Sequence, residues 1–322
     1  MAVTVDSGND GQVSTTFALR VFDGTELQVR RWLPEGRPKA IVQVAHGMAE
    51  HAGRYDRFAQ ALTGAGFAVY AGDHRGHGAT AADADVGYFA DTDGWDTVVA
   101  DLAAVRAHAR AEHPETPVVL FGHSMGSMLA RTYVTRHRYD VDALVLSGTA
   151  GDPGVLGKVG LGIARLEARI RGRRHVSPLM NALTIGRFNA SFKPARTKFD
   201  WLSRDPAEVD KYVADPRCGA VFTSGFYCDM LGGLVALKPD EVVRRTPHNL
   251  PVLLISGEND PVAGKNGKGV KAVAAQLQRG GVQDVTLKIY PGARHELLNE
   301  TNRDEVTADV INWLERNLPG ED

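Results

Sequence analysis

Short apolar runs and amphipathic stretches take turns along most of this chain. Ala40–Ala45, Phe67–Ala71, Pro117–Phe121, Val141–Ser147, Pro251–Ser256 and Val285–Tyr290 each read as a strand, and most are unbroken runs of Val, Leu, Ile and Ala. Unbroken rather than alternating apolar strands belong to sheets covered on both faces. Between them, Tyr55–Thr63, Trp95–Ala111, Met128–Arg136, Gly269–Gln278 and about Arg303–Leu318 carry apolar residues at helical spacing. In the second of these, Trp95, Val98, Val99, Leu102 and Val105 fall on one face. This alternation predicts a mostly parallel central sheet with helices on both faces. Ahead of it, Thr15–Phe22 and Glu26–Leu33 are strand-like, and Asp23-Gly24 between them predicts a hairpin. Residues 1–14, rich in Ser, Gly, Asn and Asp, read as a frayed leader.

The alternation stops near Gly151 and resumes after Arg245. The stretch between is mainly helical and irregular, and carries a basic cluster of Arg169, Arg171, Arg173 and Arg174. The expected organisation is an α/β core of residues 1–150 and 246–322, with residues 151–245 inserted as a cap between the sixth and seventh core strands.

Composition narrows the class. With 43% hydrophobic and 24% charged residues the chain is globular, not disordered. Lys and Arg number 37 against 39 Asp and Glu, so no basic field for nucleic acid is expected. Cys218 and Cys228 are too few for a disulfide framework or a four-cysteine zinc site. No apolar run reaches the length of a membrane span, and Met1 to Gln12 is polar, without the basic-then-apolar order of a signal peptide. A cytoplasmic protein is the expectation.

The sharpest local signal is Gly122-His123-Ser124-Met125-Gly126, which follows the strand Val118–Phe121 directly and leads into a helix. A tight strand-to-helix turn strains its central residue, and small flanking residues let the two arms approach. Ser124 then stands clear at a helix N-terminus whose amides favour negative charge. A plain helix cap would not need glycine on both sides.

A serine hydroxyl becomes a nucleophile only when a base takes its proton. Among eleven histidines, His295 lies five residues past the strand Val285–Tyr290, where sheets of this kind place reacting groups. His46 also ends a strand but reads as shaping the loop at Gly47-Met48. His123 adjoins the serine on a tight turn that points it elsewhere. His74 and His77, in Asp73-His74-Arg75-Gly76-His77-Gly78, read as part of a rigid loop rather than a metal site. His108, His113, His137, His175 and His248 read as surface or cap residues. The base needs an orienting carboxylate. Asp260, after the strand Pro251–Ser256, fits; Glu258 is a rival one turn too early, and Asp73 a rival better read as bracing its loop. The order Ser124, Asp260, His295 is that of α/β-hydrolases. Oxyanion donors are expected from the backbone N–H groups of Met125 and, across the turn at Gly47, of Met48.

Taken with Ala49-Glu50-His51, Arg54-Tyr55, Asp260-Pro261 and His295-Glu296, this set resembles the monoacylglycerol lipase and lysophospholipase branch of the α/β-hydrolase superfamily, often grouped with the serine aminopeptidase-like hydrolases. The resemblance covers roughly residues 25–150 and 246–318. It implies the α/β-hydrolase fold, with Ser124 as nucleophile, His295 as base, Asp260 as orienter, and the Met48 and Met125 amides as oxyanion hole. It also implies an apolar cap that contacts membranes peripherally. The cap itself matches poorly. Leu156, Val159, Ile163, Leu166 and Ile170 form a candidate apolar face; Phe222, Phe226, Tyr227, Met230, Leu231, Leu234 and Leu237 would line an acyl pocket or simply pack cap onto core.

The expected activity is serine carboxylester hydrolysis of small amphipathic or apolar acyl esters, such as monoacylglycerols or lysophospholipids, through an acyl-enzyme on Ser124. No cofactor and no metal are expected. An aminopeptidase would need an anionic pocket for the substrate amine, from Glu50, Asp215 or Asp229. Acyl transfer to an alcohol other than water is a further alternative, and a binding module without chemistry the least favoured.

Overall fold

The computed structural model describes residues 4–7 and 13–318. Nine strands among them form one sheet: β1 (Thr4–Ser7), β2 (Val13–Arg20), β3 (Glu26–Trp32), β4 (Ile41–Ala45), β5 (Ala68–Gly72), β6 (Val118–His123), β7 (Ala143–Ser147), β8 (Val252–Gly257) and β9 (Val285–Tyr290), in the order β1-β2-β3-β5-β4-β6-β7-β8-β9. From β5 through β4 to β9 every pairing is parallel; β1, β2 and β3 join β5 as an antiparallel extension. The mostly parallel sheet expected from the sequence is therefore present.

The leader reading needs correction. Part of it, residues 1–3 and 8–12, lies outside the described residues, but Thr4–Ser7 pairs with Val13–Thr16. β-branched Thr4, Val5, Val13, Thr15 and Thr16 favour extended backbone, and the turn-forming residues between them dominated the compositional reading.

Ten helices are described: α1 (Asp56–Gly64), α2 (Gly94–Glu112), α3 (Met125–Arg136), α4 (Gly154–Arg171), α5 (Pro178–Leu183), α6 (Pro206–Ala214), α7 (Ser224–Ala236), α8 (Asp240–Val243), α9 (Lys268–Arg279) and α10 (Arg303–Asn317). Alternate strand residues face opposite layers. Val119 and Phe121 of β6 meet Phe58 and Leu62 of α1 and Val310 and Leu314 of α10, while Leu120 meets Val99 and Leu102 of α2, Leu129 and Tyr133 of α3 and Val273 of α9. Each such side chain contributes about 1.5–3 kcal/mol by leaving water.

Between β7 and β8 the chain runs through α4 to α8. Leu161 and Ala164 of α4, Met180 of α5 and Phe226, Leu231 and Leu234 of α7 are buried in the same cluster as Met125, Met128 and Leu129 of α3. The inserted segment thus continues the core instead of hanging from it. Its base is stitched to the loop after β9: the Glu296 N–H donates to Leu202 O at 2.8 Å, and buried Glu300 accepts from the backbone N–H groups of Arg204 and Arg294 and from Arg204 Nε at 2.8–3.0 Å. Among the described residues, no helix is long and apolar enough to cross a membrane.

Candidate active site

β6 ends at His123 and α3 begins at Met125, three residues earlier than helical spacing predicts, so Ser124 is the whole turn. Its φ of 51° and ψ of −118° lie outside the regions that non-glycine residues favour, a conformation that costs on the order of 1–3 kcal/mol. The flanking glycines make the turn sterically feasible. A Cβ at Gly122 would stand 2.5 Å from the Gly126 carbonyl oxygen, and one at Gly126 would overlap the Ala45 carbonyl. The serine caps nothing: its side chain makes no capping bond to α3.

Parallel pairing sets β6, β7, β8 and β9 with their carboxyl ends on one edge. The loops after β8 and β9 meet there. His295 Nδ1 and Asp260 Oδ2 are 2.9 Å apart, and the other Asp260 oxygen accepts the Val262 N–H at 2.8 Å. Asp260 is fully buried and His295 is 2% exposed. Burial works against a charged imidazole, but the Asp260 carboxylate, helped by Glu296 and Glu50, outweighs it and holds His295 above its ordinary value. Nδ1 is engaged by Asp260, so Nε2 is the ring nitrogen left for a proton from substrate or serine. Ser124 and His295 share one cavity, and no hydrogen bond joins them among the described residues. Catalytic hydrogen bonds are often loose until substrate organises the site.

The Glu258 and Asp73 carboxylates are engaged elsewhere. Glu258 accepts the Gly292 N–H at 2.8 Å; Asp73 accepts the Ala52 and Ala79 N–H groups at 2.7 Å each. His46 bridges Gly47 O and the His74 N–H, and His74 and His77 are buried beside it. His123 lies 4.7 Å from His295 between ring centroids, tilted by 45°, and burial together with that neighbour lowers it to about 4, so it stays neutral.

At the carboxyl end of β4, the Gly47 N–H donates to Glu50 Oε1 at 2.5 Å. The adjoining Met48 N–H and the Met125 N–H, the first amide of α3, have no acceptor among the described residues. Both residues line the cavity with Ser124. The Glu50 carboxylate also takes Tyr55 OH and Arg54 Nη1 at 2.8 Å, and Arg54 grips Glu296 through two bonds of 2.6 and 2.7 Å. Burial opposes the Glu296 charge, yet the Arg54 guanidinium holds its carboxyl well below the usual carboxylate range. This buried network is not read from the sequence, where Arg54 and Glu296 stand only as family-like positions and Glu50 is otherwise weighed only for an anionic pocket.

The cavity itself has a volume of about 400 Å³, within the range of small-molecule sites. Its walls are mostly apolar: Met125 and Met128 of α3, Leu156, Val159 and Ile163 of α4, and Met230, Leu231 and Leu234 of α7. Phe222, Phe226 and Tyr227 are instead buried against the core, Phe222 4.6 Å from the His77 ring. The aromatic run of the insertion therefore divides into packing and lining.

Carboxylates near the site already have partners. Besides Glu50 with Arg54, Asp215 accepts from His51 Nε2 at 2.8 Å and Asp229 pairs with Arg173 at 2.8 Å. His51, Asp215 and Cys218 bring ligand atoms within 4.8 Å of one another. The His51 ring is held at both nitrogens, and burial pushes the Cys218 thiol up to about 12, so the group serves as a clasp between the loop after β4 and the insertion. Both cysteines are free thiols.

The family profile described as serine aminopeptidase, S33 matches residues 36–302. A monoacylglycerol lipase of Mycolicibacterium smegmatis is 31% identical over 304 residues, 92% of this chain and 95% of its own. The human monoglyceride lipase is 30% identical, over 91% of this chain and 86% of its own. A thermostable carboxyl esterase from Bacillus coagulans superposes with a TM-score of 0.88 at 30% identity, covering 95% of this chain and 99% of that one. With a nine-stranded sheet of this order, a serine at the turn after β6 and relatives matched over nearly their full length, the chain belongs to the serine aminopeptidase S33 family of the α/β-hydrolase fold.

Proposed function

We propose that the protein is a serine ester hydrolase cleaving long- or medium-chain acyl esters of small alcohols, monoacylglycerols foremost. The observation that carries this is the strained Ser124 opening into an apolar cavity that also holds an Asp260-bound imidazole. In the proposed mechanism Ser124 Oγ attacks the ester carbonyl carbon as His295 Nε2 takes the hydroxyl proton. The oxyanion is met by the N–H groups of Met48 and Met125. His295 passes its proton to the departing alcohol and leaves an acyl-enzyme. Water then attacks that ester, its proton going to His295 and finally to Ser124, and the fatty acid leaves. Asp260 holds the imidazole tautomer and stabilises its charge without itself taking the proton.

Residues 151–245 act as the cap in this reading. Leu156 and Val159 of α4 line the cavity and are also exposed, and Val155, Leu166 and Ile170 extend the same exposed apolar face. A cavity mouth beside such a face supports peripheral contact with a lipid surface. It also supports lysophospholipids as a second substrate class, since the acyl chain is the shared element.

A fluorophosphonate probe with a chain-length series of monoacylglycerols tests the reading. Expected are covalent labelling abolished by Ser124→Ala, and turnover that increases from short to medium acyl chains. No labelling of the native protein, or labelling that survives Ser124→Ala, overturns it. Sedimentation with lipid vesicles tests the surface contact: native protein should pellet more than a Leu156→Ser/Ile170→Ser variant.

A further inference from the structure

Two aromatic rings adjoin the His295 imidazole: His123, 4.7 Å between centroids and tilted by 45°, and Trp201 of the insertion, at 5.0 Å and 35°. All three rings are buried, Trp201 at 6% exposure. The strap that carries Trp201 is tied to the histidine loop by backbone bonds: the His295 N–H donates to Trp201 O at 3.4 Å and the Glu296 N–H to Leu202 O at 2.8 Å. Arg294 Nη1 reaches the carbonyls of Asp200 and Ser203 on the same strap. The Trp201 indole N–H is buried without a hydrogen-bond partner among the described residues. The ring is therefore placed there by something other than its own polar atom.

We propose that Trp201 is a positioning residue for the base: its indole face, delivered by the cap, fixes the His295 ring plane and attracts the imidazolium that forms during each turnover. The proposal rests on His295 being the base. An aromatic face within about 6 Å of a desolvated cation is an attractive contact, strongest for Trp. The neighbouring His123 stays neutral and adds no like charge. The other charged groups around the ring are Asp260 from the β8 loop, Glu296 beside it and Glu50 from the β4 loop, the last two shared by Arg54. From the cap side Trp201 adjoins the ring, and Arg187 and Tyr212 line the same cavity. The cap thereby supplies part of the catalytic apparatus as well as the acyl pocket.

The direction of the effect discriminates. Loss of the indole face destabilises imidazolium and lowers the His295 pKa. Loss of mere cover would admit water and raise it. The test is an NMR titration of the His295 imidazole in the native protein, Trp201→Phe and Trp201→Leu, beside pH profiles of kcat/KM on a nitrophenyl butyrate. The expected order of pKa values is native, then Phe, then Leu, with Leu lower by about half to one unit, and with kcat at pH 9 reduced several-fold in Leu and less in Phe. A His295 pKa that is unchanged or raised in Trp201→Leu overturns the proposal. Trp201→Phe keeps the test open if Leu fails to fold, since a Phe pKa equal to or above native overturns it as well. The titration needs no substrate, so it stands apart from the functional reading: abolished labelling in Ser124→Ala with an unmoved His295 sinks only the role of Trp201.

Discussion

Asp260 and His295 come from loops after two neighbouring parallel strands, yet their Oδ2 and Nδ1 atoms meet at 2.9 Å with both side chains shut off from solvent. The pairing fixes which imidazole nitrogen faces the cavity, and so which proton transfers the ring can make. Asp260→Asn leaves the shape intact but can present the wrong hydrogen-bonding pattern to Nδ1. Steady-state turnover of a nitrophenyl ester should fall by about 10⁴ if this site follows the serine-protease precedent, with the melting temperature close to native. An unchanged rate would move the orienting role to another carboxylate, against the loop-bracing bonds of Glu258 and Asp73.

The same pair sets the pH response. Burial disfavours the imidazolium but the Asp260 carboxylate wins, so the His295 pKa is raised above the usual 6.5. The base works only when neutral, so activity is present above that raised value and lost as pH falls through it. The acidic limb of kcat/KM should accordingly centre above 6.5, and the same raised pKa stabilises the fold below that ordinary value, a contribution lost as pH rises through the raised one. A limb centred below 6.5, or a flat profile from pH 5 to 8, would contradict the assignment of the base.

How much of this could be read from residue order varies with the range of the contacts involved. The turn at Ser124 is local: Gly122, Ser124 and Gly126 sit within five residues, and the steric need for both glycines is the same in the chain and in the fold. Asp260 and His295 were readable because strand ends announce themselves as the last residues of apolar runs. Trp201 carries no such mark. It lies in a polar stretch, and only the return of the segment between β7 and β8 to the β9 loop brings it against His295. Phe222 and Leu231 are both apolar residues of one segment, but one, ahead of α7, is buried on His77 and the other, within α7, lines the cavity, a distinction made only by the three-dimensional course of the segment. β1 was hidden for a different reason, its β-branched residues being few and separated by turn formers.

The Arg54 network yields a stability prediction whose sign depends on pH. In the native protein the Glu296 carboxyl is depressed, so its pairing stabilises the fold above the ordinary carboxyl range near 4.3 and that contribution is lost as pH falls below it. Arg54→Met removes the cation and leaves Glu50 and Glu296 buried together, at 4% and 7% side-chain exposure. Breaking a buried pair in this way costs about 3–5 kcal/mol. The two carboxyls then titrate upward, so the variant should regain stability relative to the native protein as pH is lowered from 8 to 5. Urea midpoints at the two pH values measure this. Equal losses at pH 5 and pH 8 would mean that the guanidinium contributes by packing on Tyr212, 4.8 Å away, and not by charge.

The cavity walls allow chain length to be tested apart from chemistry. Leu231 of α7 lines the same cavity as Met125 and Met128 of α3 and takes no part in the Asp260–His295 contact. Leu231→Trp adds bulk to the apolar end while leaving the elbow, the base and the two amide donors in place. Hydrolysis of a butyrate ester should stay within a few-fold of native, whereas a laurate ester should lose more than tenfold in kcat/KM, because excess volume in a packed apolar wall forces side chains off their preferred rotamers at a cost of about 1–3 kcal/mol. Competition between the two esters in one vessel reads the ratio directly and cancels differences in active fraction. If the laurate ester is cleaved as fast as in the native protein by a variant of native melting temperature, the acyl chain does not run past Leu231 of α7, and the part of the cavity lined by Val159 and Ile163 of α4 becomes its path.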